Sequence, residues 1–119
     1  MHFTKIVKEM LFPGLAIRGF AVVQESKGRI SFASSNFEIH CAYDCARSQD
    51  FSLRVCCTID RRAVKCLEDH ELVQRLSYHN QAYQALSETQ QIQQYAQYYS
   101  SFFFEKGDQL FDEKKFMAL

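Results

Sequence analysis

The sequence carries no net charge, because 14 lysine and arginine residues balance 14 aspartate and glutamate residues. A chain of this kind lacks the positive field that collects DNA, RNA or anionic lipid. No two of its four glycines are adjacent and no short segment is rich in them, so it has no glycine-rich loop that could cradle a phosphate. We therefore expect neither a nucleic-acid partner nor a cofactor. A net charge near zero does little to oppose self-association, which leaves a homodimer open.

Long hydrophobic runs are scarce as well. No apolar stretch is long enough to span a bilayer. The N-terminal segment places Lys5, Lys8 and Glu9 among its apolar positions, unlike the apolar region of a secretory signal. These features lead us to expect a cytoplasmic protein with no membrane partner.

The cysteines lack the spacing of a metal site. They are Cys41, Cys45, Cys56, Cys57 and Cys66. Neither C-x-x-C nor H-x-x-x-H occurs, whereas a zinc site needs four ligands that converge as a tetrahedron. The odd count and the adjacent pair are typical of reduced thiols in a bacterial or other cytosol. We therefore expect five free thiols and no metal, with buried cysteines acting as small apolar side chains.

Large apolar side chains are plentiful. Hydrophobic residues make up 47% of the chain, which has eleven phenylalanines and six tyrosines. This supply is enough to build a core in 119 residues without metal or disulfide support. No internal repeat or flexible linker divides the chain, so we predict a single α+β domain over residues 1–119.

The N-terminal residues follow the period of an amphipathic helix. Apolar residues recur at spacings of three and four, and the charged residues lie on the opposite side. The apolar stripe consists of Phe3, Ile6, Val7, Met10 and Leu11. Pro13-Gly14 predicts the end of this helix.

Extended segments follow the helix. Phe20–Glu25 and Arg29–Ser34 flank a tight-turn signal, Ser26-Lys27-Gly28, and predict a hairpin. The strongest pattern lies in Phe37–Asp44 and Phe51–Ile59, where apolar and polar residues alternate. Such alternation is typical of antiparallel strands with one buried face. We predict a four-stranded antiparallel meander.

The alternation also indicates which side chains meet on the outer face of the sheet. A symmetric hairpin with the loop Asp44–Asp50 puts His40 opposite Arg54. Cys56 would then lie diagonally from His40, and this pair suggests a Cys–His nucleophile. Glu38 lies on the same face, and a solvated ladder of cross-strand side chains is the simpler interpretation.

From Asp60 the period changes to that of helices. Asp60 fits the N-cap of a helix over Arg61–Leu76. Further on, Ser87 and Gln90 fit the capping box S-x-x-Q and predict the start of another helix. Gly107 predicts its end.

This last helix is aromatic on one face. Its apolar stripe consists of Ile92, Tyr95, Ala96, Tyr99, Phe102 and Phe103. Before it, Tyr78–Leu86 is either helical or a connector. After it, Leu110, Phe111 and Phe116 in the tail can fold back onto the core in a last turn of helix. We predict two or three C-terminal helices packed on one face of the sheet.

Two surfaces are candidates for binding a partner protein. The first is the outer face of the sheet, with Glu38, His40, Arg54 and Thr58. It mixes both charge signs, which suits the orientation of a specific partner, although an ordinary hydrated face has the same pattern. The second surface consists of Tyr98 and Phe104, which fall outside the apolar stripe of their helix. These two side chains either meet the C-terminal tail or contact a partner.

Three stretches of the chain together resemble a known group of proteins. They are Gly19-Phe20 before a hairpin, the segment Phe37–Asp44 with Arg47-Ser48 and Phe51–Val55, and Tyr95–Tyr99 with Gly107-Asp108 and Phe111. The ensemble resembles small orphan bacterial α+β families, some of whose members are immunity proteins of polymorphic or contact-dependent toxin systems. The resemblance implies a protein that covers the active site or an exosite of one toxin. The chain is neutral, whereas many inhibitors of nucleases are strongly acidic and mimic the charge of the substrate. The charge therefore does not favour this kind of mimicry.

Taken together, the sequence favours a non-enzymatic protein that binds another protein. The alternative is a small enzyme or a carrier of an apolar ligand, with a pocket between the sheet and the aromatic helix. An enclosed cavity that holds a titratable residue with a perturbed pKa would favour the alternative.

Overall fold

The computed structural model of the chain describes residues 3–44, 50–76 and 88–119. Helix α1 is Phe3–Ile17, and the strands are β1 (Ala21–Ser26), β2 (Arg29–Ala33), β3 (Phe37–Asp44), β4 (Asp50–Ile59) and β5 (Arg62–Glu68). The remaining helices are α2 (Asp69–Arg75), α3 (Glu88–Leu110) and α4 (Glu113–Met117). The strands form one antiparallel sheet in the order β1-β2-β3-β4-β5. The α+β class and the meander order are confirmed, but the sheet has five strands where four were predicted.

The central hairpin has the predicted register. Asp44 pairs with Asp50 and His40 with Arg54. The inward positions on these two strands are buried, including Leu53 and Val55 at the centre of the sheet. Because side chains alternate along a strand, one correct register places every residue of the hairpin on its face.

The fifth strand replaces the first half of a predicted helix. Asp60 and Arg61 have positive φ angles of 53° and 65°, as a two-residue type I′ turn requires, and they reverse the chain after β4. Arg62–Glu68 then pairs with β4, and α2 begins only at Asp69. The helix predicted over Arg61–Leu76 is therefore wrong up to Glu68. The N-cap of α2 is Glu68, which forms a capping box with Glu71. Asp60, the predicted N-cap, lies in the turn between β4 and β5.

Helix α1 continues through the residues that were predicted to end it. Pro13 lies inside the helix, where its missing N–H leaves the carbonyl of Glu9 without its helical partner. Both residues are exposed, so that carbonyl can be hydrated. The helix ends at Ile17, and Gly19, whose φ is 88°, closes it in a Schellman motif. The amide of Phe20 donates to the Leu15 carbonyl at 3.0 Å. Phe20 and Leu15 are both buried, so the cap also anchors the chain to the core.

Gly107 does not end α3, which continues to Leu110. The glycine instead makes room for the Arg18 side chain that crosses the helix. A Cβ at position 107 would lie 2.6 Å from Nη2 and 2.7 Å from Nε of Arg18. The Nη1 of Arg18 donates to Oδ1 of Asp108 at 2.9 Å. The glycine therefore allows the residue after α1, Arg18, to contact the C-terminal part of α3.

The helices cover one face of the sheet through aromatic rings. Phe3 of α1 lies 5.2 Å from Phe51 of β4, and Tyr95 of α3 stacks on the same ring at 5.4 Å, measured between centroids. Phe116 of α4 lies 5.5 Å from Phe37 of β3, so the tail folds back as predicted. The predicted stripe of α3 is buried or half-buried along its length. Ser87 and Tyr78–Leu86 lie outside the described residues.

The two edge strands are irregular. In β1 the register shifts between Val22 and Gln24, and in β5 the pairing passes over Val64. Bulges at sheet edges discourage another strand from adding there. Among the described residues, no helix combines the length and the apolar character needed to cross a membrane.

The position of Leu53 gives the first test of the assigned faces. Leu53 is fully buried and Arg54 is exposed. Replacing Leu53 by alanine leaves a cavity, and we expect it to lower the free energy of unfolding by about 2–5 kcal/mol. Replacing Arg54 by alanine should cost about 0–1 kcal/mol. Urea denaturation of both variants measures the difference, and a larger loss for Arg54→Ala would mean that the faces are assigned the wrong way round.

The two helical glycines give a second test. Nothing lies within 4 Å of a Cβ at Gly14, so Gly14→Ala should stabilise the protein by about 0.5–1 kcal/mol. The gain from Gly107→Ala should be smaller than the gain from Gly14→Ala by at least about 0.5 kcal/mol, because the new Cβ displaces the Arg18 side chain. In an Arg18→Ala background the two glycine changes should become equal. An undiminished gain from Gly107→Ala in the wild-type background would contradict this role of Gly107.

Candidate functional site

The sheet face opposite the helices carries a connected row of polar side chains. In the register, Ser31 pairs with His40, His40 with Arg54, and Arg54 with Glu68. We call this side of the sheet the outer face. It brings together three of the four residues predicted for the first binding surface, since Glu38 lies two residues before His40 on the same strand.

Hydrogen bonds link the side chains on β2 and β3. Ser31 Oγ lies 2.8 Å from His40 Nδ1, and His40 Nε2 lies 3.1 Å from Glu38 Oε1. His40 and Glu38 are each about one-third exposed at the side chain. Held at both ring nitrogens, the imidazole has a fixed orientation, and it presents one edge to solvent beside the carboxylate.

The order serine–histidine–glutamate raises the question of catalysis. A serine nucleophile must reach its substrate and needs amide donors for the developing oxyanion. Ser31 is only 4% exposed and lies on β2, which pairs with strands on both sides. The network therefore fits an ordered polar surface better than a hydrolase site.

Thr58 does not join this surface. Its side chain is 3% exposed, and its backbone amide donates to the carbonyl of Asn36 at 2.7 Å. Arg54, in contrast, is exposed beside His40. The accessible part of the predicted site is therefore Glu38, His40 and Arg54.

A disulfide also lies on the outer face. Cys56 and Cys66 are directly opposite on β4 and β5, their Cα atoms are 4.0 Å apart, and their sulfurs are bonded. The expectation of five free thiols is wrong for this pair, because the helix predicted after Asp60 hid the pairing of Cys66 with Cys56. The proposed Cys–His nucleophile fails for the same reason, since the sulfur of Cys56 is already bonded.

Two further cysteines are free and buried. Desolvation raises the pKa of the Cys41 thiol, and burial together with the Glu113 carboxylate raises that of Cys57. Both therefore remain protonated near neutral pH and are poor nucleophiles. Cys45 lies outside the described residues. Within the described part of the chain, no three histidine, cysteine, aspartate or glutamate side chains are grouped so that they could hold a metal ion.

The second surface lies on the other side of the molecule, between α1 and α3. Ile17 is 88% exposed and Phe104 is 83% exposed, and both side chains line one cleft of about 430 Å³. We call it the α1–α3 cleft. Its other lining residues include Leu11, Leu15, Phe103 and Gly14. Leu11, Leu15 and Phe103 are buried and form an apolar floor.

The structure separates the two residues predicted for this surface. Tyr98 is half-buried, and its ring packs edge-on against Tyr99 at 5.0 Å and stacks with Phe102 at 6.5 Å. Phe104 remains exposed, because the C-terminal aromatic residues pack elsewhere, as Phe111 does against Phe37. Sequence reasoning missed Ile17, since it ended α1 at Pro13.

Comparison of the chain with protein-family models, with curated proteins and with solved structures finds no match. The functional argument therefore depends on the geometry of the two surfaces.

Proposed function

We propose that the protein is a non-enzymatic protein-binding domain and that the α1–α3 cleft is its main binding surface. The observation that carries this proposal is the exposure of Ile17 and Phe104 at the edge of one apolar cleft. Single exposed apolar residues are common, but two large ones above an apolar floor form the kind of patch that partners cover.

The energetics of the cleft favour an apolar anchor from a partner. Burying a side chain of this size contributes about 1.5–3 kcal/mol, so covering both rim residues contributes substantially to binding. Central aromatic residues often dominate the binding energy of an interface, whereas the surrounding polar residues contribute little. Arg18 and Asp108 form an ion pair close to the cleft and supply such a polar edge. The expected occupant is a protein segment that inserts an aliphatic or aromatic side chain.

Neutralisation of a bacterial toxin in the cytoplasm is the specific form of this proposal that the resemblance supports. Binding through an apolar cleft agrees with the neutral charge of the chain, because it requires no mimicry of an acidic substrate. Such an inhibitor would act by covering a surface of the toxin.

The outer face is a second candidate surface, because it presents the hydrogen-bonded side chains of Glu38 and His40 beside the exposed Arg54. The alternative of a ligand pocket between the sheet and the aromatic helix has less support. Phe51 stacks on Tyr95 at 5.4 Å and on Tyr99 at 6.3 Å, so rings fill that interface.

The test compares two exposed apolar residues, Phe104 in the lining of the cleft and Val23 outside that lining. The partner is captured on the wild-type protein from its native cell extract, identified and purified. Phe104→Glu should then raise its Kd by about 30-fold or more, as loss of a central aromatic contact does. Val23→Glu is the matched control, since Val23 is 61% exposed on the edge strand β1, and its Kd should stay within about twofold of wild type.

The same titration separates the two surfaces. A variant with Glu38→Lys and Arg54→Glu should bind as well as wild type if the cleft is the site. Weaker binding by this variant, together with full binding by Phe104→Glu, would move the site to the outer face. If the wild type retains no stoichiometric partner, the binding function itself is contradicted. Thermal melting of each variant shows that the fold is intact.

A further inference from the structure

The Cys56–Cys66 disulfide joins β5 to β4 and is exposed to solvent at Cys66. Cys66 is exposed and Cys56 is buried, so a reagent in solution reaches the bond from the side of Cys66. Among the strands that the structure describes, β5 lies at the edge of the sheet and pairs only with β4. The bond is therefore a covalent link between an edge and the interior of the sheet.

Apart from this link, β5 is held mainly by its backbone pairing with β4, because it buries few side chains. Leu67 is its only buried residue, and its pairing with β4 is interrupted at Val64. Segments with few buried apolar contacts are the ones that open locally at low free-energy cost. The disulfide is therefore the covalent part of an attachment that otherwise consists of backbone pairing and one buried side chain.

Two other elements depend on β5. The Nζ of Lys65 donates to the carbonyl of Met117 at 3.1 Å and to that of Leu119, which fixes the C-terminal end after α4. Glu68, the last residue of β5, forms the capping box that starts α2. A change in the attachment of β5 thus reaches both of these helices.

We propose that the Cys56–Cys66 bond is a reversible redox lock that holds β5, and that a dithiol reductant opens it in the folded protein. A thiolate of the reductant attacks Sγ of Cys66, forms a mixed disulfide there and expels Cys56 as a thiolate, which takes a proton. The second thiolate of the reductant attacks the reductant's own sulfur in the mixed disulfide and releases Cys66. Two electrons pass to the protein, and the reductant becomes a disulfide.

The other described thiols do not compete in this exchange. Cys57 follows Cys56 in the chain but is buried, and Cys41 is buried on β3. Both thiols stay protonated near neutral pH, because burial raises their pKa values. The attacking thiolate therefore comes from the reductant. This inference is independent of the α1–α3 cleft, which lies on the opposite side of the molecule.

The test uses the oxidised protein and dithiothreitol without denaturant. Alkylation and peptide mass spectrometry should show Cys56 and Cys66 becoming labelled while Cys41 and Cys57 stay protected. Hydrogen exchange of the amides in β5 should then accelerate by about tenfold or more, with β3 unchanged as the internal control. A variant with Cys56→Ser and Cys66→Ser should exchange as fast as reduced wild type and should not respond to dithiothreitol.

Three outcomes would overturn the proposal. The first is a bond that resists dithiothreitol until the protein is unfolded. The second is a bond that opens but leaves exchange in β5 unchanged, which would make it a simple crosslink. The third is exchange that rises equally in β3 and β5, since reduction would then unfold the whole protein.

Discussion

The packing of aromatic rings around Phe51 organises the rest of the structure. This ring contacts Phe3 from α1 and both Tyr95 and Tyr99 from α3, so one residue of β4 joins two helices to the sheet. Rings of this size bury large apolar areas, and offset or edge-on contacts add further stability. Because α1 and α3 pack on this face, the polar row of the outer face and the α1–α3 cleft are the two candidate surfaces that the described part of the chain leaves exposed.

The regular parts of the fold could be predicted from the sequence. The predictions were wrong at single residues whose conformation depends on contacts with distant parts of the chain. Period-two alternation was sufficient to register the β3–β4 hairpin, because one wrong step would have exposed the whole apolar set. Pro13 looks like a helix end, but the buried Leu15 and the cap at Gly19 keep the chain helical beyond it. Gly107 also looks like a helix end, but the absence of a Cβ there leaves room for the Arg18 side chain. At Asp60 the turn lacks glycine, so the local signal for a hairpin was weak.

The candidate surfaces show the same division. Glu38, His40 and Arg54 were assigned to one face by alternation alone, and the structure brings them together. Ser31 could have been added once the β2–β3 register was known, since it pairs directly with His40. Ile17, in contrast, becomes part of the cleft only because α1 runs beyond Pro13 and meets α3. Alternation therefore predicts which residues share a face of the sheet. It does not predict which of them are accessible, since Thr58 is on that face but buried, and it cannot predict a surface that tertiary packing creates.

The most direct measurement of the central claim is a hydroxyl-radical footprint of the protein, free and saturated with its purified partner. Side-chain oxidation reports solvent access at each residue. If the α1–α3 cleft is the binding surface, oxidation of Ile17 and Phe104 should fall sharply in the complex, while that of His40 stays at the level of the free protein. Protection of His40 with undiminished oxidation of Phe104 would contradict the account.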